Sequence, residues 1–308
     1  MVSSLEDYTH STGRQGDSGA HDGDLNVERV VFHELIENGE HGPEHTEFEK
    51  PCGECVAPCI VVGHAVDPTR CTVDVKRLAC TASGGASCLS AAQAEGAAKM
   101  YAGPSNPRTK DPIFPGLAPG SELGWDPVNG LQPFGIAESY FRHVVFTDVA
   151  WDYRSLDFDA NVAASDRAAA ALINATDPNL QPFFARDGKL IQYHGWNDQQ
   201  ISPFNSVNYY KSVEARLGGH DKVDRSYRLF MAPGMMHCGG GEGPNQFNPM
   251  SALERWREAN VAPDEILATH VSNGVVDMTR PLCPYPQVAV YKGAGSTKDA
   301  ANFSCKAP

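Results

Sequence analysis

The sequence is poor in positive charge. Its 308 residues carry 25 Lys and Arg against 38 Asp and Glu, a formal net charge of −13 at pH 7. A nucleic-acid backbone is therefore excluded as a natural partner, and anionic membranes lose their usual electrostatic handle. Long apolar runs are missing too. None approaches the roughly 18 residues that a bilayer-spanning helix needs. The first twenty residues lack the basic start and apolar stretch of a secretory leader. No internal repeat or sustained heptad pattern occurs. Charged residues make up 20% and hydrophobic residues 41%, which fits a globular chain with a buried core rather than a disordered one.

Cysteine, by contrast, is abundant. There are nine, an odd number. The simplest arithmetic is an even subset in disulfides plus one leftover thiol, in an oxidising compartment. Cysteine content thus predicts a secreted or periplasmic protein, although the start of the chain supplies no means of export.

The acidity is concentrated at the front. Residues 1–50 hold twelve acidic side chains against Arg14, Arg29 and Lys50, together with five of the eleven histidines. Too little apolar surface is present there to offset ordering entropy, so this head is expected to be poorly ordered. Residues 51–150 form a second region, cysteine-punctuated to Cys88 and Pro/Gly-rich over 102–135. A helix is expected over 89–101, with Ser90 as its N-cap candidate. Residues 151–308 form the third region and alternate strand and helix signals. Helix is expected over 164–175, strand over 189–194, helix from Pro203 to Leu217, strand from Tyr227 to Ala232 and helix over 250–260. This alternation predicts an α/β fold with a mostly parallel sheet.

In open α/β sheets, functional groups collect just past the carboxyl ends of strands. Two segments have that form. Gly195-Trp196-Asn197-Asp198 follows the first strand, and Pro233-Gly234-Met235-Met236-His237 follows the second. A lone Asp after a strand also serves as a helix cap, and a lone His in a Gly-rich loop also serves structurally. An acid followed by a histidine on successive strands is, however, the order of an α/β-hydrolase triad, in which the nucleophile comes earlier. There the carboxylate fixes the imidazole tautomer and the imidazole takes the nucleophile's proton.

YHGWNDQQISP followed by RLFMAPGMMHCGGGEGPN resembles the C-terminal part of the tannase and feruloyl esterase family. The resemblance continues through MSALERWREANVAPDEILATH and RPLCPYPQVAVYKG to Cys305. It reaches back through CLSAAQAEGAAKMYAGPSNPRTKDPIFPGLAPGSELGW, which is similar to that family's lid, and covers roughly residues 66–308. It implies a partial α/β-hydrolase sheet with an inserted, loop-rich lid. It also implies hydrolysis of small aromatic esters of galloyl or feruloyl type through a Ser–Asp–His triad. On this basis Asp198 is the acid and His237 the base. Cys80 with Cys88, and Cys283 with Cys305, match the family's disulfide positions. Trp125, Phe134, Tyr140 and Phe141 are candidates either for an aromatic acyl pocket or for lid core.

Four departures accompany the resemblance. The family's nucleophile motif, G-C-S-T-G-G-R-Q-G, corresponds here to Tyr8-Thr9-His10-Ser11-Thr12-Gly13-Arg14-Gln15-Gly16. One glycine is gone and His10 replaces the cysteine, so Ser11 is the candidate nucleophile by position only. Loss of that cysteine leaves Cys238 as the expected odd thiol, while Cys71 is expected to pair with Cys52, Cys55 or Cys59, with Cys55 and Cys59 favoured. The family's Asp/Gly-rich calcium loop is reduced to the single carboxylate Asp67, so no metal and no organic cofactor are expected. The family's sequence ahead of the serine is missing or scrambled, and its leader would lie there. Esterase activity impaired by truncation is therefore expected. The alternative is an inactive esterase fragment, with residues 1 to about 65 the product of a shifted reading frame or a wrong gene start.

A Cys/His metal-binding module is the rival from another class. Cys52, Cys55, Cys59 and His64 provide a zinc-compatible ligand set, but a second C-x-x-C is absent. In the head, His33-Glu34-Leu35-Ile36-Glu37 lacks the second histidine of a zinc helix. The run Asp22, Asp24, Asn26 lacks the glycine and glutamate of an EF-hand. Both belong to a solvated acidic segment.

Overall fold

The computed structural model describes residues 67–80, 88–126, 128 and 132–308. The acidic head, Ser11 and the Cys52, Cys55, Cys59 and His64 set lie outside the described residues.

At the centre is a parallel pair of strands, β1 (Leu190–Gly195) and β2 (Tyr227–Ala232), in register from Leu190 opposite Tyr227 to Gly195 opposite Ala232. Every residue of β2 is buried. Its side chains alternate between two cores, as the period of a strand requires. Tyr227, Leu229 and Met231 join Trp196, Val207, Tyr210, Val213 and Val223 on one face. Phe230 and Ala232 join Met235, Ala252, Ile266, Ala268 and Leu282 on the other. Double burial explains why YRLFMA reads as a nearly continuous apolar run rather than an alternating one.

Helices cover both faces. Helix α1 (Ala91–Ala102) lies earlier in the chain and opens with a capping box: Ser90 Oγ accepts from Gln93 N, and Gln93 Oε1 accepts from Ser90 N. Helix α2 (Pro203–Leu217) starts with Pro203 in its first turn and stops where Gly218 takes φ 90°. Its buried stripe is Pro203, Ser206, Val207, Tyr210 and Val213. Helix α3 (Pro249–Ala259) buries Ala252 and Trp256.

Two antiparallel pairs complete the described sheets: β3 (Ile266–Ser272) with β4 (Val275–Leu282), and β5 (Val288–Tyr291) with β6 (Phe303–Lys306). The architecture is thus α/β, as the alternation predicts. Among the described strands only β1 and β2 pair in parallel, and the four later strands are antiparallel. The helix expected over 164–175 starts earlier, at Ala160, and widens into a π turn over Asp166–Ala170. The earlier start follows from Asp157, whose Oδ1 accepts from the amides of Asp159 and Ala160.

Disulfides join Cys80 to Cys88 and Cys283 to Cys305, as the resemblance implies. Cys71 is disulfide-bonded as well. Cys238 is a free, exposed thiol. Asp67 Oδ1 accepts from the backbone N and Oγ1 of Thr69, capping the short helix Pro68–Arg70. No helix among the described residues is long and apolar enough to cross a membrane.

Candidate active site

The site forms where the chain leaves β1 and β2. Because these strands are parallel and adjacent, their carboxyl ends deliver both loops to the same edge. Contact between the loops is close. Trp196 N donates to Ala232 O at 2.9 Å and Asn197 N to Met235 O at 3.0 Å. A Cβ on Gly195 would lie 2.1 Å from Met235 O, so the crossing admits only glycine.

Asp198 and His237 meet there. The two are 39 residues apart in sequence, and His237 Nδ1 lies 2.9 Å from Asp198 Oδ2. Asp198 is only 3% exposed. Burial alone would raise its pKa. That effect is outweighed by hydrogen bonds from His194, the backbone N–H of Ile201, His237 and the backbone N–H of Gln200, which bring it down to about 2. The carboxylate is thus ionised at neutral pH. His237 is half-buried and turns Nδ1 to the acid, which leaves Nε2 on the opposite edge of the ring.

A segment far upstream buttresses the acid loop. Asn197 donates through Nδ2 to the carbonyl of Gly120, and its Oδ1 accepts from Gly234 N at 3.2 Å. Ser202 Oγ donates to the carbonyl of Gly116 at 2.5 Å. Gly124 packs against the Gln199 side chain, whose Oε1 accepts from His237 N at 3.3 Å. Gly120 N in turn donates to Glu122 Oε1, which also accepts from the Tyr101 hydroxyl. Burial raises the Glu122 pKa.

The sequence identifies Asp198 and His237 as candidates, and the structure brings these two together. Ser11 lies outside the described residues. His194, Asn197 and Gln199 join the site without a motif in the sequence that marks them. The local signal for His194 is the spacing His194-x-x-x-Asp198 across the turn, whereas Asn197 and Gln199 find partners in remote segments. Trp125 is 5% exposed and packs with Val75, Leu89, Ala97 and Leu117, which makes it core. Tyr140 and Phe141 stack edge to face, and Phe141 also stacks on Trp151. No group of three or more His, Cys, Asp or Glu able to hold a metal occurs among the described residues.

Asp198 and His237 thus meet at the carboxyl ends of adjacent parallel strands in a partial α/β-hydrolase fold. Residues 61–306 match the tannase and feruloyl esterase family, and the chain belongs to that family. It is 35% identical over 288 residues to an uncharacterized esterase of Xanthomonas campestris pv. campestris, covering 78% of this chain and 50% of that protein. It is 44% identical over 137 residues to a mono(2-hydroxyethyl) terephthalate hydrolase of Piscinibacter sakaiensis, covering 44% and 22%. Among solved structures, feruloyl esterase B from Aspergillus oryzae superposes with a TM-score of 0.74 at 26% identity, covering 92% of this chain and 61% of that one. The chain spans about half the length of the curated relatives it matches.

Proposed function

We propose that the chain is a carboxylic ester hydrolase acting on small aromatic esters of galloyl or feruloyl type. The observation that carries this reading is the buried, ionised Asp198 bonded to His237 Nδ1, in a chain of this family. Asp198 holds the imidazole through Nδ1, which leaves Nε2 bare to act as the base. Nε2 takes the proton of a serine hydroxyl as its oxygen bonds to the ester carbonyl carbon. The resulting imidazolium is stabilised by the carboxylate and returns the proton to the departing alcohol oxygen. Water then repeats the sequence against the acyl-serine, which frees the aromatic acid. Ser11 is the nucleophile in this reading. Residues 51–150 act as the lid over the acyl group, 151–308 as the hydrolase core, and 1–50 as an acidic head. The disulfides support an oxidising, secreted or periplasmic setting.

Hydrolysis of methyl ferulate and methyl gallate by the purified chain tests the reading. Measurable turnover is expected, abolished by Ser11→Ala and His237→Ala alike. No turnover of either ester, or turnover indifferent to His237→Ala, overturns it.

A further inference from the structure

Asp198 Oδ2 has a second imidazole on it. His194 Nε2 lies 3.0 Å from that oxygen and 3.1 Å from the carbonyl of Ile201. Both neighbours are acceptors, so Nε2 has to carry a proton. The opposite nitrogen, Nδ1, lies 2.7 Å from Ser206 Oγ. Ser206 sits on the buried, otherwise apolar stripe of α2 and also meets Gln192 Nε2 at 2.9 Å. Gln192 Oε1 accepts from the hydroxyl of the fully buried Tyr227.

These contacts have one direction in which every donor finds an acceptor while His194 stays neutral. Tyr227 O–H donates to Gln192, and Gln192 N–H donates to Ser206. Ser206 O–H donates to His194 Nδ1, and His194 Nε2–H donates to Asp198 and Ile201. Reversing the chain by flipping the Gln192 amide would place a bare Nε2 against two acceptor oxygens. A polar network this deep is stable only when fully satisfied.

We propose that His194 is a positioning residue for Asp198: the chain Tyr227–Gln192–Ser206 fixes it as the Nε2–H tautomer. In that state it anchors Oδ2 in line with His237 Nδ1. Its place in catalysis rests on the reading of Asp198 as the triad acid, whereas its proton arrangement does not. Unlike His237, it is reached from inside the fold, with β1, β2 and α2 each contributing one member of the chain.

The test uses the full chain labelled with 15N-histidine and long-range 1H–15N spectra at pH 8, with His194 assigned by its disappearance in His194→Gln. A bare Nδ1 and protonated Nε2 at His194 is the expected result; an Nδ1–H form, an averaged mixture or an imidazolium overturns the proposal. The His237 Nδ1 proton held by Asp198 should be observable in the unmodified chain. It should be lost to exchange in His194→Leu and retained in His194→Gln, whose amide N–H stands where Nε2–H was. Its persistence in His194→Leu also overturns the proposal. With methyl ferulate, His194→Leu should lower kcat about ten- to a hundredfold at constant KM, and His194→Gln should recover most of it. The predicted tautomer in a chain that cleaves no ester would leave the hydrogen-bond chain standing and remove the esterase reading. Turnover with the opposite tautomer would do the reverse.

Discussion

The loops after β1 and β2 occupy equivalent places in the fold yet differ in what else they are tied to. The acid loop is fastened from outside itself: Asn197 to Gly120 and Gly234, Ser202 to Gly116, and Asp198 to His194. The base loop shares bonds with the acid loop through Asn197, Asp198 and Gln199, and adds bonds within its own backbone, with Met236 N donating to Gly240 O and Gly243 N to Gly234 O. Left-handed backbone recurs along it, at Cys238 (φ 56°), Gly240 (φ 67°) and Gly241 (φ 87°). Asp198 is buried, while Cys238, one residue beyond His237, is exposed. The difference matches what the proposed chemistry asks of each loop. A carboxylate that only orients and stabilises works best immobile and dry, whereas an imidazole that exchanges protons with substrate has to reach solvent-facing atoms.

This contrast can be broken at several points. Asp198→Asn should have the largest effect, lowering kcat for methyl ferulate by about 10³–10⁴, because the amide no longer selects the Nδ1–H tautomer of His237. Single-turnover kinetics would check that chemistry rather than binding is lost. Gly195→Ala sets a Cβ against Met235 O and forces the two loops apart. A loss of about 1–3 kcal/mol in denaturant unfolding is expected, larger than for alanine at any exposed loop glycine. Asn197→Leu leaves the Gly120 carbonyl and Gly234 N–H without their side-chain partner and should cost a similar amount, about 1–3 kcal/mol.

Acid should weaken the hold on the acid loop. The folded pKa of Asp198, about 2, lies below its ordinary value of 3.8. Its contribution to stability is therefore present above pH ~4 and drains away as pH falls towards 2. About 2 kcal/mol is at stake by linkage. Urea midpoints between pH 6 and 2 would show this loss, and Asp198→Asn should flatten it. At the small end, Cys238→Ser should shift stability by no more than about 0.5 kcal/mol, since the thiol is exposed. A large shift there would mean that the base loop is fastened more firmly than its contacts indicate.

Local chemistry made much of this fold legible. The bounds of α2 and β2 follow from Pro203, Gly218 and a nearly continuous apolar run, and both coincide with the structure. β1 is displaced by one residue because Gly195 continues the ladder opposite Ala232. The β3–β4 hairpin is announced only by Asn273-Gly274 at its turn, with both residues at positive φ. Pro281 inside β4 and a register shift at His270/Val271 disrupt the alternation that would have announced the strands. Within the site, chain order pointed to Asp198 and His237. The partners of Asn197 and Ser202 are set by tertiary approach between segments as much as 86 residues apart, and no spacing rule encodes them.

The complete burial of β2 has a consequence for how the molecule opens. Its amides, covered on both faces, can exchange with solvent hydrogen only when the two cores separate, so they report on whole-domain unfolding. The loop just beyond its end can open without that event. Hydrogen exchange should therefore divide abruptly between Ala232 and Cys238, with slow, denaturant-sensitive amides on one side and fast, denaturant-insensitive amides on the other. That boundary lies between the scaffold and the residue it presents.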